Sequence, residues 1–205
     1  MSSKTYITSY CHIKNNSIFL NGELLYKAPE KESFVDFIKM AYKNLETDYS
    51  KFFKMDSLSK LAFLGADVLL KHENVVPEKE ENIALVFSNN ASSLDTDRKY
   101  QKSIEDNDNF YPSPAVFVYT LPNICMGEIS IKHKLYSENS FFIFENFNPE
   151  YLYAYSEGLI QENKAEKVLC GWVNVDEEEY TAFLYLVTKE KTEIPHTIKE
   201  INNRF

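Results

Sequence analysis

The chain has 205 residues, enough for one domain with a substantial hydrophobic core. Apolar residues make up 44% of it and aromatic residues 15%, which excludes a chain that is mainly disordered. Its formal net charge of −9 argues against nonspecific binding to nucleic acid or to anionic membranes, because both need clustered Lys and Arg.

The compartment is indicated by what the sequence lacks. No apolar run approaches the ~20 residues that cross a bilayer, and Met1–Thr5 has no signal-peptide character. Cys11, Cys125 and Cys170 are odd in number and far apart, unlike a disulfide framework or a zinc site. We therefore expect a cytoplasmic protein with reduced thiols, without a membrane span, a metal or a cofactor.

The first predicted elements are strands. The segment 6–13 is rich in β-forming residues, and Asn15-Asn16 marks a turn into a second short strand over Ser17–Leu20. Asn21-Gly22 is a hairpin signal, so Leu24–Tyr26 is expected to complete a small meander.

Two helices follow the meander. Ser33 is a predicted N-cap for the first, and either Asp56 or Ser57 for the second. Both helices carry apolar residues at helical spacing, which predicts one face turned to the core. Pro77–Asn82 is a predicted charged loop.

A buried strand is predicted over Ile83–Phe87, and small polar residues follow it at once. Ligands of α/β sheets bind at the carboxyl ends of strands, so Ser88 and Asn89 are candidate ligand-binding residues; a plain turn is the alternative. Asp95 and Asp97 lack further ligands at calcium-loop spacing, which predicts helix-start carboxylates rather than a metal site.

The middle of the chain combines a helix with a strongly apolar strand. Thr120 is a predicted helix cap with Pro122 in the first turn, and the helix is expected to turn Ile124, Ile131 and their neighbours at helical spacing inward. Phe141–Phe144 is too short for a helix and too apolar for a loop, which predicts a buried central strand.

The remaining elements are a helix and a hairpin. Pro149–Gln161 carries apolar residues on one helical face. The strands predicted over 167–175 and 180–187 are joined by the acidic residues 176–179, and so short a link predicts an antiparallel hairpin.

The stretch Tyr111–Asn146 resembles the first half of a β-ketoacyl synthase. In that family a segment of the type S-P-x-x-F, followed by L-P-N, precedes a helix, a turn and the strand that leads to the catalytic cysteine. The residues that match this order are Ser113-Pro114, Phe117, Leu121-Pro122-Asn123 and Ser137-Glu138-Asn139. Met55–Ala62 and Ile83–Leu94 are similar to further elements of the family.

The resemblance implies the fold and the loss of the family's chemistry. It implies an α/β fold, namely a three-layer thiolase-like half with a mixed five-stranded sheet flanked by helices, and residues 1–205 as a single synthase N-terminal-like domain. The family's nucleophilic cysteine would fall at or beside Asn146, and no cysteine lies between positions 126 and 169. Asparagine is no nucleophile, and the second-half histidines have no counterpart, so condensing activity is not expected. Asn123 and Asn146 join Ser88 and Asn89 as ligand-binding candidates.

Three functions are compatible with this reasoning. The first is a non-catalytic accessory subunit of a truncated synthase type, in a bacterial polyketide, aryl-polyene or fatty-acid-like pathway. A lone half-fold leaves an apolar face uncovered, which predicts a homodimer, or a heterodimer with a complete ketoacyl synthase. The resemblance implies that the pairing runs through Ser140–Glu145, because in the family the corresponding strand pairs with its symmetry mate across the dimer axis. The second is a module that binds an acyl chain or an acyl carrier protein, with Lys132, Lys134 and Lys164 as a local basic patch. The third is a divergent acyl transferase or hydrolase that reuses the old acyl pocket.

Overall fold

Eight strands form one mixed sheet, and helices cover both of its faces. The computed structural model describes residues 4–29, 32–76, 79–106, 108 and 110–205. Most of the predicted N-terminal feature at Met1–Thr5 and the beginning of the predicted loop Pro77–Asn82 lie outside these residues. Among the helices described, none combines the length and the apolar composition needed to cross a membrane.

The strands of the sheet are two to ten residues long. The strands are β1 (Tyr6–Lys14), β2 (Ser17–Leu20), β3 (Glu23–Lys27), β4 (Ile83–Asn89), β5 (Asn139–Ile143), β6 (Lys167–Asp176), β7 (Glu179–Thr188) and β8 (Ile194–Pro195). Their order is β3-β2-β1-β7-β6-β4-β5, and β8 also pairs with β1. β4 is parallel to β5 and β6, whereas β7 is antiparallel to β6 and β1. The count exceeds the predicted five because β2, β3 and β8 all extend the sheet beside β1.

The helices begin at side-chain caps. They are α1 (Phe34–Asn44), α2 (Ser57–His72), α3 (Leu94–Lys102), α4 (Pro114–Phe117), α5 (Ile124–His133), α6 (Pro149–Gln161) and α7 (Ile198–Arg204), with 3-10 turns at Ser50–Lys54 and Val118–Thr120. Ser33 caps α1, as predicted, by accepting from the Asp36 N–H. Asp56, rather than Ser57, caps α2 by accepting from the Ser59 N–H at 2.9 Å.

The larger core lies between the sheet and α1, α2 and α5. Twelve of the sixteen residues of α2 are buried, because this helix lies on the sheet and is itself covered by α1 and α5. Each large apolar side chain that is fully buried there contributes about 1.5–3 kcal/mol.

The opposite face of the sheet is covered by α6 and α7. Phe183 and Tyr185 are fully buried on this face, and Trp172 is 5% exposed. The three-layer arrangement is confirmed, but the expectation of an uncovered apolar face is wrong. The reason is that α7, in a tail with no predicted partner, packs beside α6.

Two predictions in the middle of the chain are corrected. β5 is not a central strand but the edge of the sheet, since it pairs with β4 alone among the described strands. The buried face of α5 carries Cys125, Met126, Ile129 and His133, whereas Ile131 is 56% exposed. Thr120 does not cap α5, because its hydroxyl donates to the Phe117 carbonyl.

Both predicted hairpins are confirmed. Asn21 and Gly22 adopt the positive φ values of 52° and 86° that a tight turn between twisted strands requires. Asp176 pairs with Glu179 across the acidic hairpin, and Glu177 has a φ of 56°.

Candidate functional site at the edge of the sheet

Two of the four predicted ligand-binding residues are used for internal hydrogen bonds. Ser88 is fully buried at the end of β4, and its hydroxyl donates to the Gly171 carbonyl at 3.2 Å. Asn89 is also fully buried. Its side chain exchanges two hydrogen bonds of 2.9 Å with the backbone of Ser92 and closes the turn after the strand.

The other two candidates are exposed and lie on different elements. Asn123 stands at the beginning of α5 without a side-chain capping bond. Asn146 lies in the bend between β5 and α6. None of the four candidates lines the cavity beside Glu157 or the cavity beside Lys60.

Aromatic rings fill the space behind Asn146. Phe147 stacks on Phe205 with ring centres 4.1 Å apart and meets Trp172 and Phe183 edge-on. Asn148 caps α6 by accepting from the Tyr151 N–H at 2.9 Å. The helix start to which the resemblance assigns a nucleophile therefore presents an amide side chain and packed rings.

The thiols of the chain are sequestered. Cys11, Cys125 and Cys170 are all buried and form no disulfide. Burial raises the pKa of Cys11 and of Cys170 to about 12, and burial together with the charge of Asp56 raises that of Cys125 further. A thiol must ionise to act as a nucleophile, so none of the three is activated for covalent chemistry.

A metal site needs several ligating side chains close together. Within the described ranges, no group of three or more His, Cys, Asp and Glu side chains is arranged to hold a metal ion.

The free edge of β5 is the feature that the structure adds to the sequence argument. On the β4 side, the Leu85 N–H donates to the Glu138 carbonyl at 3.0 Å, and the Phe144 N–H donates to the Asn89 carbonyl at 2.9 Å. Successive residues of a strand point their backbone groups to alternate sides. Residues 140 and 142 therefore bond to β4, whereas residues 139, 141 and 143 direct their N–H and C=O groups away from the sheet.

Within β5 itself, this edge lacks the charges and the Pro that keep strand edges apart, although Glu138 and Glu145 flank it. Natural edges carry charged residues, Pro or bulges, and the opposite edge strand β3 has Glu23 and Lys27 at its ends. β5 has neither charge nor Pro between Asn139 and Phe144. A row of unpaired backbone groups on a neutral, apolar strand is a template for pairing with another chain.

Exposed large apolar side chains are concentrated between residues 110 and 151, the segment that contains β5. Of the sixteen large hydrophobic residues that are exposed in the described part of the chain, nine lie between positions 110 and 151. These are Phe110, Tyr111, Phe117, Val118, Leu121, Ile131, Tyr136, Ile143 and Tyr151. The bias toward one segment favours a role in association over random scatter. The sequence signal for this site was the resemblance, which implied pairing through Ser140–Glu145.

Comparison with solved structures identifies the fold. The ishigamide ketosynthase/chain length factor structure superposes with a TM-score of 0.67 at 17% identity, over 94% of this chain and 64% of that chain. A ketosynthase in complex with its chain length factor from Xenorhabdus doucetiae gives 0.58 at 13% identity, over 91% of this chain and 79% of that chain. A type II polyketide synthase acyl-carrier protein in complex with its ketosynthase gives 0.60 at 13% identity, over 92% and 63%.

Neither a family model nor a curated protein matches the sequence. The chain spans about two thirds of the first of these structures and 63% of the third. The likeness confirms the predicted α/β fold with a mixed sheet flanked by helices. The chain has the thiolase-like fold of ketosynthases and chain length factors.

Proposed function

We propose that this chain is a non-catalytic β-ketoacyl synthase-like subunit that pairs through β5 with a second chain of the same fold. It would serve a bacterial polyketide, aryl-polyene or fatty-acid-like pathway in the cytoplasm, with residues 1–205 acting as one domain. The partner is a second copy of this chain or a complete ketoacyl synthase.

The observation that carries this proposal is the unpaired edge of β5. Its outward N–H and C=O groups, at Asn139, Phe141 and Ile143, match what an antiparallel partner strand would bond. Two of the similar structures contain a ketosynthase together with another protein, a chain length factor or an acyl-carrier protein. The lack of a condensing role is supported by Asn146 at the expected cysteine position and by the three buried thiols.

The test removes one outward N–H and keeps the rest of the strand. Ile143 is 55% exposed, and its N–H points away from β4. Ile143→Pro deletes that donor without breaking the bonds to β4, so it should abolish association and leave the chain folded. Ile143→Thr is the matched control, because it changes the side chain and keeps the N–H.

Association is measured in two ways. Sedimentation of the purified chain over a range of concentrations reports self-pairing, and tagged chain recovered from its native cells reports a synthase partner by mass spectrometry. We expect dimers, or a ketoacyl synthase in equal amount, with the wild type and with Ile143→Thr but not with Ile143→Pro. A wild-type chain that is monomeric and recovers no synthase would refute the proposal.

A second candidate function, binding of an acyl carrier protein, is favoured by one cavity. Lys54, Lys60 and Lys99 line a cavity of about 290 Å³ together with Asp56, Tyr119 and apolar side chains. Lys99 is paired with Asp95, whereas Lys54 and Lys60 form no ion pair within the described residues. Burial lowers the pKa of Lys60. The charge of Asp56 opposes this shift, and the charges of Lys99 and Lys39 add to it. Carrier proteins are acidic, so a local group of lysines offers a docking place despite the global charge of −9.

The basic patch predicted from sequence is less suited to that role. Lys164 forms ion pairs with Glu138 and Glu162, and Lys132 donates to the Asp48 carbonyl. Titration with a purified holo acyl carrier protein separates the two patches. Lys54→Gln/Lys60→Gln should weaken binding if the cavity is used, whereas Lys132→Gln/Lys164→Gln should not.

A further inference from the structure

A partly buried carboxylate near the amino end of β1 has no Lys or Arg partner in the described part of the chain. Glu157 lies on α6, and its side chain is 17% exposed. Charged side chains at this depth are normally paired. In the described part of the chain, Glu157 forms no ion pair with Lys or Arg, and its only ion-pair contact is with His196.

Three polar side chains, those of Thr5, Gln161 and His196, lie around the Glu157 carboxylate. The Thr5 hydroxyl donates to Glu157 Oε1, and the Gln161 amide donates to Oε2 at 3.4 Å. Nδ1 of His196 lies 3.1 Å from Thr5 Oγ1 but 3.5 Å from Glu157 Oε1. The imidazole of His196 therefore lies closer to Thr5 than to the carboxylate.

This carboxylate lines a cavity of about 570 Å³, large enough for a small molecule. Tyr153 and Pro195 give the cavity apolar walls, and Lys4 and Lys191 stand beside it. Burial raises the pKa of Tyr153, and the negative charge of Glu157 raises it further. The carboxylate is therefore close enough to influence the ring that forms the wall.

We propose that this cavity binds a free amino acid as a zwitterion. The ligand's ammonium group supplies the cation that Glu157 lacks. It donates hydrogen bonds to the carboxylate, and the two opposite charges attract each other more strongly because the site is partly shielded from water. The ligand's carboxylate lies toward Lys4 and Lys191, and an apolar or aromatic side chain packs on Tyr153. This site is separate from the β5 edge, and its existence does not depend on the proposed subunit role.

The test is calorimetric titration of the full chain with L-phenylalanine and then with each of the other protein amino acids. Two analogues isolate the contacts, since 3-phenylpropionate lacks the ammonium and phenethylamine lacks the carboxylate. We expect at least one amino acid to bind, and each analogue of an aromatic ligand to bind about tenfold more weakly or worse.

Glu157→Gln removes the charge and keeps an acceptor for Thr5. It should weaken amino-acid binding by about tenfold or more, while Glu150→Gln, at an exposed position of α6 outside the cavity, should change it less than about twofold. Thermal unfolding checks that both variants are folded. Failure of every amino acid to bind the wild type, or binding that survives in a folded Glu157→Gln, would overturn the proposal. Equal binding of phenethylamine would overturn the zwitterion and leave a simple amine site.

Discussion

At the scale of single residues, His12 shows how burial makes stability depend on pH. Its ring is 8% exposed and packs against Phe183 and Phe205. Burial, and then the charge of Lys14, lower the pKa of His12 from 6.5 to about 4. Below pH 6.5 the unfolded chain binds a proton that the folded chain does not, so folding stability falls as the pH drops from about 6.5 towards 4.

His12→Phe should flatten this decline, because it removes the titrating ring and keeps an aromatic side chain. Urea unfolding at several pH values between 4 and 7 measures the effect. His72 is exposed, so His72→Gln should leave the decline in place. An unchanged slope in a folded His12→Phe would show that other groups cause the dependence.

At the scale of elements, the contact between α2 and α5 depends on a buried charged cluster. Asp67 on α2 is 1% exposed and accepts from Lys71 at 2.8 Å and from the Thr47 hydroxyl at 2.9 Å. Nε2 of His133 on α5 lies 3.2 Å from Oδ1 of Asp67. Burial alone would raise the pKa of Asp67, but His133 and Lys71 outweigh it and lower the pKa below its usual value.

Asp67→Asn should reduce the free energy of unfolding by about 3 kcal/mol at neutral pH, since it leaves the buried His133 and Thr47 and the partly exposed Lys71 without the carboxylate that they contact. A lowered carboxylate pKa gives stability that is present above the unfolded value of about 3.9 and is lost as the pH falls through the folded value. The difference between wild type and variant should therefore shrink in acid. Asp48→Asn, at an exposed position, is the control and should change stability by less than about 0.5 kcal/mol.

The elements also show which predictions sequence reasoning can make. Hairpins and helix caps depend on a few adjacent residues, and the turns at Asn21-Gly22 and 176–179 and the cap at Ser33 were predicted correctly. The position of β5 depends on which strand pairs with it, and its apolar run is equally compatible with a buried centre and with an edge covered by a partner. The buried face of α5 was missed because apolar residues occur all round this helix.

The same distinction between local and long-range contacts applies to the candidate sites. Ser88 and Asn89 were correctly placed at the end of a strand, and the bonds of Asn89 to Ser92 fit the plain turn that was the alternative. The bond of Ser88 to Gly171, 83 positions away, is one that no local pattern reveals. Likewise the group of Thr5, Glu157 and His196 joins residues up to 191 positions apart. Spacing rules cannot bring such residues together.

At the scale of the whole molecule, pairing through β5 links folding to concentration. If the chain forms a homodimer that unfolds as a unit, its stability should rise by about 1.4 kcal/mol for each tenfold increase in protein concentration. Urea unfolding followed by circular dichroism at several concentrations measures this. Ile143→Pro should remove the dependence. For a heterodimer the chain alone shows no dependence, and addition of the purified partner raises its stability.

The neutral edge has a further consequence for how the chain behaves in a cell that makes too much of it. Six successive uncharged residues, Asn139–Phe144, with high β-propensity and no Pro, have the composition of segments that stack into fibrils. A partner strand would occupy this segment, so synthesis in balance with the partner protects it. Surplus chain would expose it and be lost to inclusion bodies or proteolysis, and the amount of soluble protein would follow the supply of whatever pairs with it.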